Sequence, residues 1–251
     1  MKFSLRSRVA AEFLGTGFLV AAVVGSGIMG ERLAGGNVAV ALLANTISTG
    51  AALLALILTF GSISGAHFNP AVTLADAVEH GIPWSEVPLY IAGQCSGGIV
   101  GTLVAHLMFG LPWFSLSTHS RHGWALVFSE LVATFGLLSV IWGCSRLRSN
   151  ATPFAVASYI TAAYWFTAST SFANPAVTIA RALSDTFAGI APADVLPFVI
   201  AQLVGAFSAT LVFRGIVPNL PAYASQVVGR HPEFVNPGEH PGANSSHSST
   251  I

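Results

Sequence analysis

The chain has 251 residues, of which 53% are apolar and only 8% charged, with ten Lys plus Arg against ten Asp plus Glu. A soluble domain carries about 25% charged residues, so this composition cannot clothe a water-facing globule and points to a membrane protein. The balanced charge leaves no basic footprint for nucleic acid and no acidic tail.

Lys2, Arg6 and Arg8 precede an apolar run that continues to about Met29. That run is longer than the apolar core of a signal peptide and contains Glu12, so it reads as a retained first span. A bilayer core ~30 Å thick needs ~20 apolar residues in a helix. Six stretches meet that need: Val9–Met29, Val38–Phe60, Val87–Phe109, Trp124–Ser145, Thr152–Thr170 and Val195–Ile216. Open backbone cannot face lipid and no segment alternates like a barrel strand, so the spans are predicted helices. Asn69–Val78 and Asn174–Leu183 are apolar but too short to cross. At 1.5 Å per residue each reaches about halfway, which predicts two half-helices entering the membrane and ending inside it.

The two halves, about 9–109 and 124–216, repeat one another. Ala-Glu-Phe-Leu-Gly-Thr (11–16) is matched by Ser-Glu-Leu-Val-Ala-Thr (129–134). Asn-Pro-Ala-Val-Thr-Leu-Ala (69–75) is matched by Asn-Pro-Ala-Val-Thr-Ile-Ala (174–180). Three spans per half is an odd number, so the second half enters the bilayer upside down. Inverted repeats with paired short segments mark a solute path. With both termini inside, the inner side holds Lys2, Arg6, Arg8, Arg146, Arg148, Arg214 and Arg230, and the outer side Arg32, Arg121 and Arg181. Seven against three favours cytoplasmic termini. Residues 1–216 read as one channel domain. Residues 217–251, rich in Pro, Gly, Ser, Asn and His, read as a disordered cytoplasmic tail.

Asn followed by Pro has a local reason at a helix start: Asn caps, and Pro at the first helical position forgoes an N–H that has no partner there. Two copies opening two opposed half-helices imply more. Asn69, Pro70 and Ala71 would face Asn174, Pro175 and Ala176 at mid-membrane. Each helix N-terminus carries about half a positive charge, which opposes cations, while the asparagine amides can donate to a passing oxygen. Such a constriction accepts small neutral hydroxylated solutes in single file.

With both Asn-Pro-Ala motifs, Ser-Gly-Ala-His-Phe (64–68), Glu12, Glu130 and the Gln-bearing spans in view, the chain resembles the aquaporin and aquaglyceroporin (major intrinsic protein) family over residues 9–216. The resemblance implies an all-α, aquaporin-like membrane fold of six transmembrane helices and two re-entrant half-helices. It also implies a passive channel without cofactor, a homotetramer with one pore per subunit, and a multi-pass place in the cell (inner) membrane. Glu12 and Glu130 would brace the re-entrant loops. The alternative is a neutral glutamic acid near the surface. His67 would lie on the inner pore wall, or pack as an ordinary histidine. Gln94 and Gln202 read as glue between helices.

The family places an Arg in its outer selectivity filter three residues after the second Asn; here that residue is Val177. Carrying the other filter positions over by spacing gives Thr49, Ala162 (with Ala163 left open) and Ser171, with Phe172 adjacent. These residues predict a wide, mildly amphipathic filter unless Phe172 turns inward. Arg181, one helical turn beyond Val177, either lines the outer vestibule or snorkels to headgroups. Residues 163–178 resemble bacterial aquaglyceroporins of arsenic-resistance operons, which implies arsenous acid or methylated arsenicals beside glycerol-like polyols and water.

Inverted repeats with broken helices also build ion-coupled secondary transporters, whose coupling would here fall to Glu12 and Glu130. No nucleophile constellation or cofactor fingerprint is present, which weighs against an enzyme. Cys95 and Cys144 lack metal-ligand spacing and read as small packed residues. His231, His240 and His247 are too widely spaced to read as a metal site. One test follows from position 177. Val177→Arg is expected to cut flux of the largest permeant solute far more than flux of water, read as the ratio of the two permeabilities in matched proteoliposomes.

Overall fold

The structure is a computed structural model and describes residues 3–147 and 149–216. The expected tail, with His231, His240 and His247, lies outside the described residues. All described regular structure is helical: α1 (Leu5–Leu33), α2 (Val38–Ser64), α3 (Pro70–Val78), α4 (Val87–Met108), α5 (Trp124–Leu147), α6 (Thr152–Phe166), α7 (Pro175–Arg181) and α8 (Pro192–Ile216), with one 3₁₀ turn at Ser149–Ala151. Five helices are long and apolar enough to cross a bilayer unaided. The sixth span, α6, has 15 residues, about 22 Å of helix. The predicted span to Thr170 therefore ends early, and residues 167–174 continue as non-helical chain.

Local chemistry sets these boundaries. Ser4 caps α1 by accepting from the Ser7 N–H, and Asn37 caps α2 by accepting from Ala39 and Val40. Gly65 stops α2 in a left-handed conformation, φ 90°, which glycine adopts without penalty. The half-helices α3 and α7 begin as their sequence requires, with Asn as cap and Pro at the first turn. Their nine and seven residues span about 14 and 10 Å.

The repeat in sequence is a repeat in space. Within each half the first span packs on the second and third, α1 on α2 and α4, and α5 on α6 and α8. Each half-helix packs on the third span of its own half and also on that of the other, α7 on α4 and α3 on α8. The halves are thus interleaved around a common core that runs from Leu19, Val23 and Ile57 through Phe68 and Val72 to Ile141, Ile160 and Val177.

Glycine lets α1 and α4 approach closely. A Cβ at Gly97 would lie 2.2 Å from the Phe13 carbonyl oxygen, and one at Gly101 would lie 2.2 Å from that of Gly17. Because those obstacles are backbone, no side-chain rotation relieves them. This small-xxx-small spacing brings helices together in lipid, where dispersion contacts replace the hydrophobic drive. Gly101→Val is therefore expected to destabilise the protein by about 1–3 kcal/mol or more, seen as a lower melting temperature in detergent. Gly143→Ala, whose added carbon would find its nearest neighbour at 3.7 Å, should leave the melting temperature nearly unchanged.

Candidate functional site: a channel between two asparagine caps

The loops preceding the half-helices carry the site. In the first, Ala66 and Phe68 have φ of 49° and 48°. In the second, Thr170, Ser171 and Ala173 have 63°, 51° and 47°. Left-handed backbone at residues with a Cβ costs roughly 1–2 kcal/mol each, so something must hold it. Glu12 does so below. Its Oε1 accepts from the Ser64 hydroxyl at 2.6 Å and the His67 N–H at 3.0 Å; its Oε2 accepts from the Phe68 N–H at 2.7 Å and Gln94 Nε2 at 2.8 Å. Glu130 repeats the arrangement above, accepting from the Phe172 N–H at 2.9 Å, the Ala173 N–H at 2.8 Å and Gln202 Nε2 at 2.6 Å. Both carboxylates are fully buried. Gln94 and Gln202 each pass a second bond to the half-helix, to the Thr73 and Thr178 hydroxyls. Neither glutamine lines the cavity.

The two caps meet. Asn69 Nδ2 donates to the Ala173 carbonyl and Asn174 Nδ2 donates to the Phe68 carbonyl, both at 2.7 Å. Their Oδ1 atoms accept from the N–H groups of Ala71 and Ala176, at 2.9 and 3.0 Å. An amide nitrogen has two hydrogens, so each asparagine keeps one donor after bonding across to the other loop. Pro70, Pro175, Ala71 and Ala176 are buried and set the start of each half-helix without lining the cavity.

A narrow cavity of about 60 Å³ passes between the caps. By the same measure one water needs ~10–15 Å³, so the cavity has room for a short file of waters. Its wall includes both asparagines and His67, an apolar side formed by Leu19, Val23, Leu53, Ile57 and Ile141, and, at the end expected to face outward, Thr49, Tyr164, Ser171, Phe172, Val177 and Arg181. His67 turns Nδ1 to the Thr73 hydroxyl at 3.1 Å and Nε2 to Asp76 at 3.5 Å.

Two expectations about the outer end need correction. Ala162 does not line the cavity; it is exposed on the outer flank of α6, in a groove with Gly50, Phe154 and Trp165. Ala163 is buried but is not part of the wall either. The wall residues of α6 are Val156, Ile160 and Tyr164, an i, i+4, i+8 stripe on one helical face. Counting back from Asn174 misplaced the phase, because residues 167–174 are not helical; the stripe itself was the usable signal. Nor is that end only mildly amphipathic: Phe172 does line it, and Tyr164 and Arg181 add a hydroxyl and a charge. The Tyr164 hydroxyl shares a hydrogen bond with Thr49 Oγ1 at 3.2 Å, and Arg181 is in the wall at 2% exposure, which sets aside the headgroup alternative. Its Nε donates to the Ala188 carbonyl, and its guanidinium carbon stands 3.4 Å from the centre of the Phe172 ring.

The α4–α5 connection supplies a residue that sequence reasoning missed. Ser115 and Ser117 donate their N–H groups to the Leu183 and Ala182 carbonyls, laying this segment along the chain that follows α7. That brings in Arg121. Its Nε donates to the Gly189 carbonyl at 2.8 Å, its Nη1 donates to the Ser169 carbonyl at 3.2 Å, and its guanidinium carbon lies 4.8 Å from the same Phe172 ring. Burial pushes its pKa down to about 10, which still leaves it charged at neutral pH. Nothing in the sequence flagged Arg121, since its value lies in a contact 51 residues away in the chain.

The sequence model of the family described as "Major intrinsic protein" matches residues 1–158 and 143–244. The chain belongs to that family. It is 51% identical over 216 residues to aquaglyceroporin AqpS of Rhizobium meliloti (strain 1021), an alignment covering 86% of this chain and 92% of that protein. It is 32% identical over 213 residues to the probable aquaporin NIP7-1 of Arabidopsis thaliana, covering 83% and 76%. The solved structure of the aquaglyceroporin from Plasmodium falciparum matches with a TM-score of 0.67 at 21% identity, covering 87% of this chain and 99% of that one. At that identity the match speaks for the fold.

The bracing geometry makes a direct test. Glu130→Leu would leave two loop N–H groups and one of the two Gln202 amide hydrogens without an acceptor, at about 1–3 kcal/mol for each buried donor. The variant is expected to lose thermal stability and solute flux together, measured by melting in detergent and by uptake in proteoliposomes.

Proposed function

We propose that this major intrinsic protein is a passive channel for small uncharged solutes, chiefly water and glycerol-sized polyols. The observation that carries the reading is the pair of asparagine caps. They place two free amide donors in the narrow path between the half-helices, opposite an apolar wall. A solute hydroxyl can bond to the donors while its carbon face slides along Leu19, Val23 and Ile141. A hydrated cation meets two positive helix ends and no acidic residue among the described wall residues. Arsenous acid, neutral and hydroxylated at pH 7, belongs to the same chemical class and is the further solute we propose.

An ion-coupled transporter needs a carboxylate that faces the path and exchanges protons with it. Glu12 and Glu130 are instead committed to loop N–H groups and lie outside the wall, which favours simple permeation. We further propose that both termini face the cytoplasm, on the strength of the inner-side excess of basic residues. Residues 1–216 act as the channel domain in this proposal, and the subunits assemble as a homotetramer in the inner membrane.

Stopped-flow measurements on proteoliposomes decide the matter. Water, glycerol and arsenous acid are expected to equilibrate along their gradients without saturation and without dependence on a proton gradient. Saturable flux that collapses when the proton gradient is abolished would favour the coupled transporter instead.

A further inference from the structure

Position 177 is a valine where the resemblance to the family implies an arginine, yet the outer end of the cavity is not short of charge. Arg181 reaches it from one turn farther along α7, and Arg121 reaches the same ring from the α4–α5 connection. With guanidinium carbons 3.4 and 4.8 Å from one ring centre, the two charges are closer together than the ~10 Å over which 0.1 M salt screens them. Their partners matter as much as their positions. The bonds of both guanidiniums run to carbonyls, those of Ala188, Gly189 and Ser169. Neither side chain makes an ion pair among the described residues. Asp194 is near, but its carboxylate accepts the Arg121 main-chain N–H at 2.7 Å and stands 3.4 Å from His122. Glu130, the buried carboxylate below, spends its oxygens on loop donors. The outer mouth therefore keeps two charges that no carboxylate cancels by contact. The neighbouring imidazole registers them: His119 is held below the usual histidine range by burial and then by the positive charges of Arg121 and Arg181.

We propose that Arg181 and Arg121, gathered on Phe172, form a cationic collar that sets the channel's rejection of protons and metal cations in place of a charge at position 177. Phe172 is the collar's platform, because its ring face attracts a guanidinium and its edge is fixed against Phe198 at 5.4 Å. Arg121 becomes a selectivity residue although it is not part of the narrow wall. The inference rests on the channel reading above, and its test separates the two.

Wild type and the Arg121→Gln, Arg181→Gln and double variants are reconstituted, together with Arg121→Lys and Arg181→Lys. Glycerol flux, proton leak and sodium leak are measured on the same vesicles. Wild type and the Lys variants should be electrically silent. Each Gln variant should leak protons or sodium at least about tenfold more, the scale expected when a unit charge is removed a few ångströms from the path at intermediate dielectric, and the double variant more again. Glycerol flux is the control for folding in the Arg121 variants, and the melting temperature in detergent is the control in the Arg181 variants, whose side chain lines the path. If Arg181→Gln does not fold, Arg121→Gln decides alone, because that side chain lies outside the narrow wall. A Gln variant that passes its folding control and stays as tight to protons and sodium as wild type overturns the collar. Absence of glycerol flux in well-inserted wild type overturns the channel reading instead.

Discussion

Two buried carboxylates make everything else in this fold possible. Glu12 and Glu130 accept seven hydrogen bonds between them, five from the loops and α2 terminus and two from glutamines. Hydrogen bonds to a charged group contribute ~1.5–3 kcal/mol each, more than the left-handed backbone of either loop costs. Burying the carboxylate removes several kcal/mol of that surplus. The glutamates thus fix geometry more than they add stability. They hold Phe68 and Ala173 with their carbonyls turned to the opposite asparagine, and the cavity exists because those two carbonyls are where they are.

How much of this was legible beforehand differs by level. The spans, half-helices and inverted repeat could be read from apolar run lengths and duplicated heptapeptides, because the bilayer imposes a length on helices and the repeat imposes a match. Thr49, Ser171, Phe172, Val177 and His67 line the cavity, and each sits on or near an element whose phase is pinned, α2 or the asparagine motifs. Ala162 failed because a non-helical stretch separates it from its reference point, and phase does not survive such a stretch. Tyr164 follows from the phase of the α6 stripe, whereas Arg121 depends on where chain segments come to lie in space. A local pattern does not encode the contact of the α4–α5 connection with the chain after α7.

The pseudo-symmetry of the halves breaks in charge. Asp76 and Arg181 each stand seven residues after their asparagine, and both are buried. Asp76 faces His67 behind one part of the wall, with Glu79 and Arg214 beyond it; Arg181 lies on Phe172 at the other end. The same backbone scaffold thus presents acid behind one end of the path and base at the other. The duplicated motif explains the scaffold, and the residues around it explain the polarity.

The crossed asparagine bonds also bear on how the chain comes to be folded at all. Asn69 finds its acceptor at Ala173, 104 residues later, and Asn174 finds its own at Phe68, 106 residues earlier. During synthesis the first re-entrant loop is complete long before either partner has been made. Until then its amide and the Phe68 carbonyl have only water or lipid to turn to, and lipid offers nothing. The first half holds every partner of the Glu12 brace, but the crossed asparagine bonds require the second. The path is therefore a joint product of the two halves, because its wall and both crossed bonds draw on each of them.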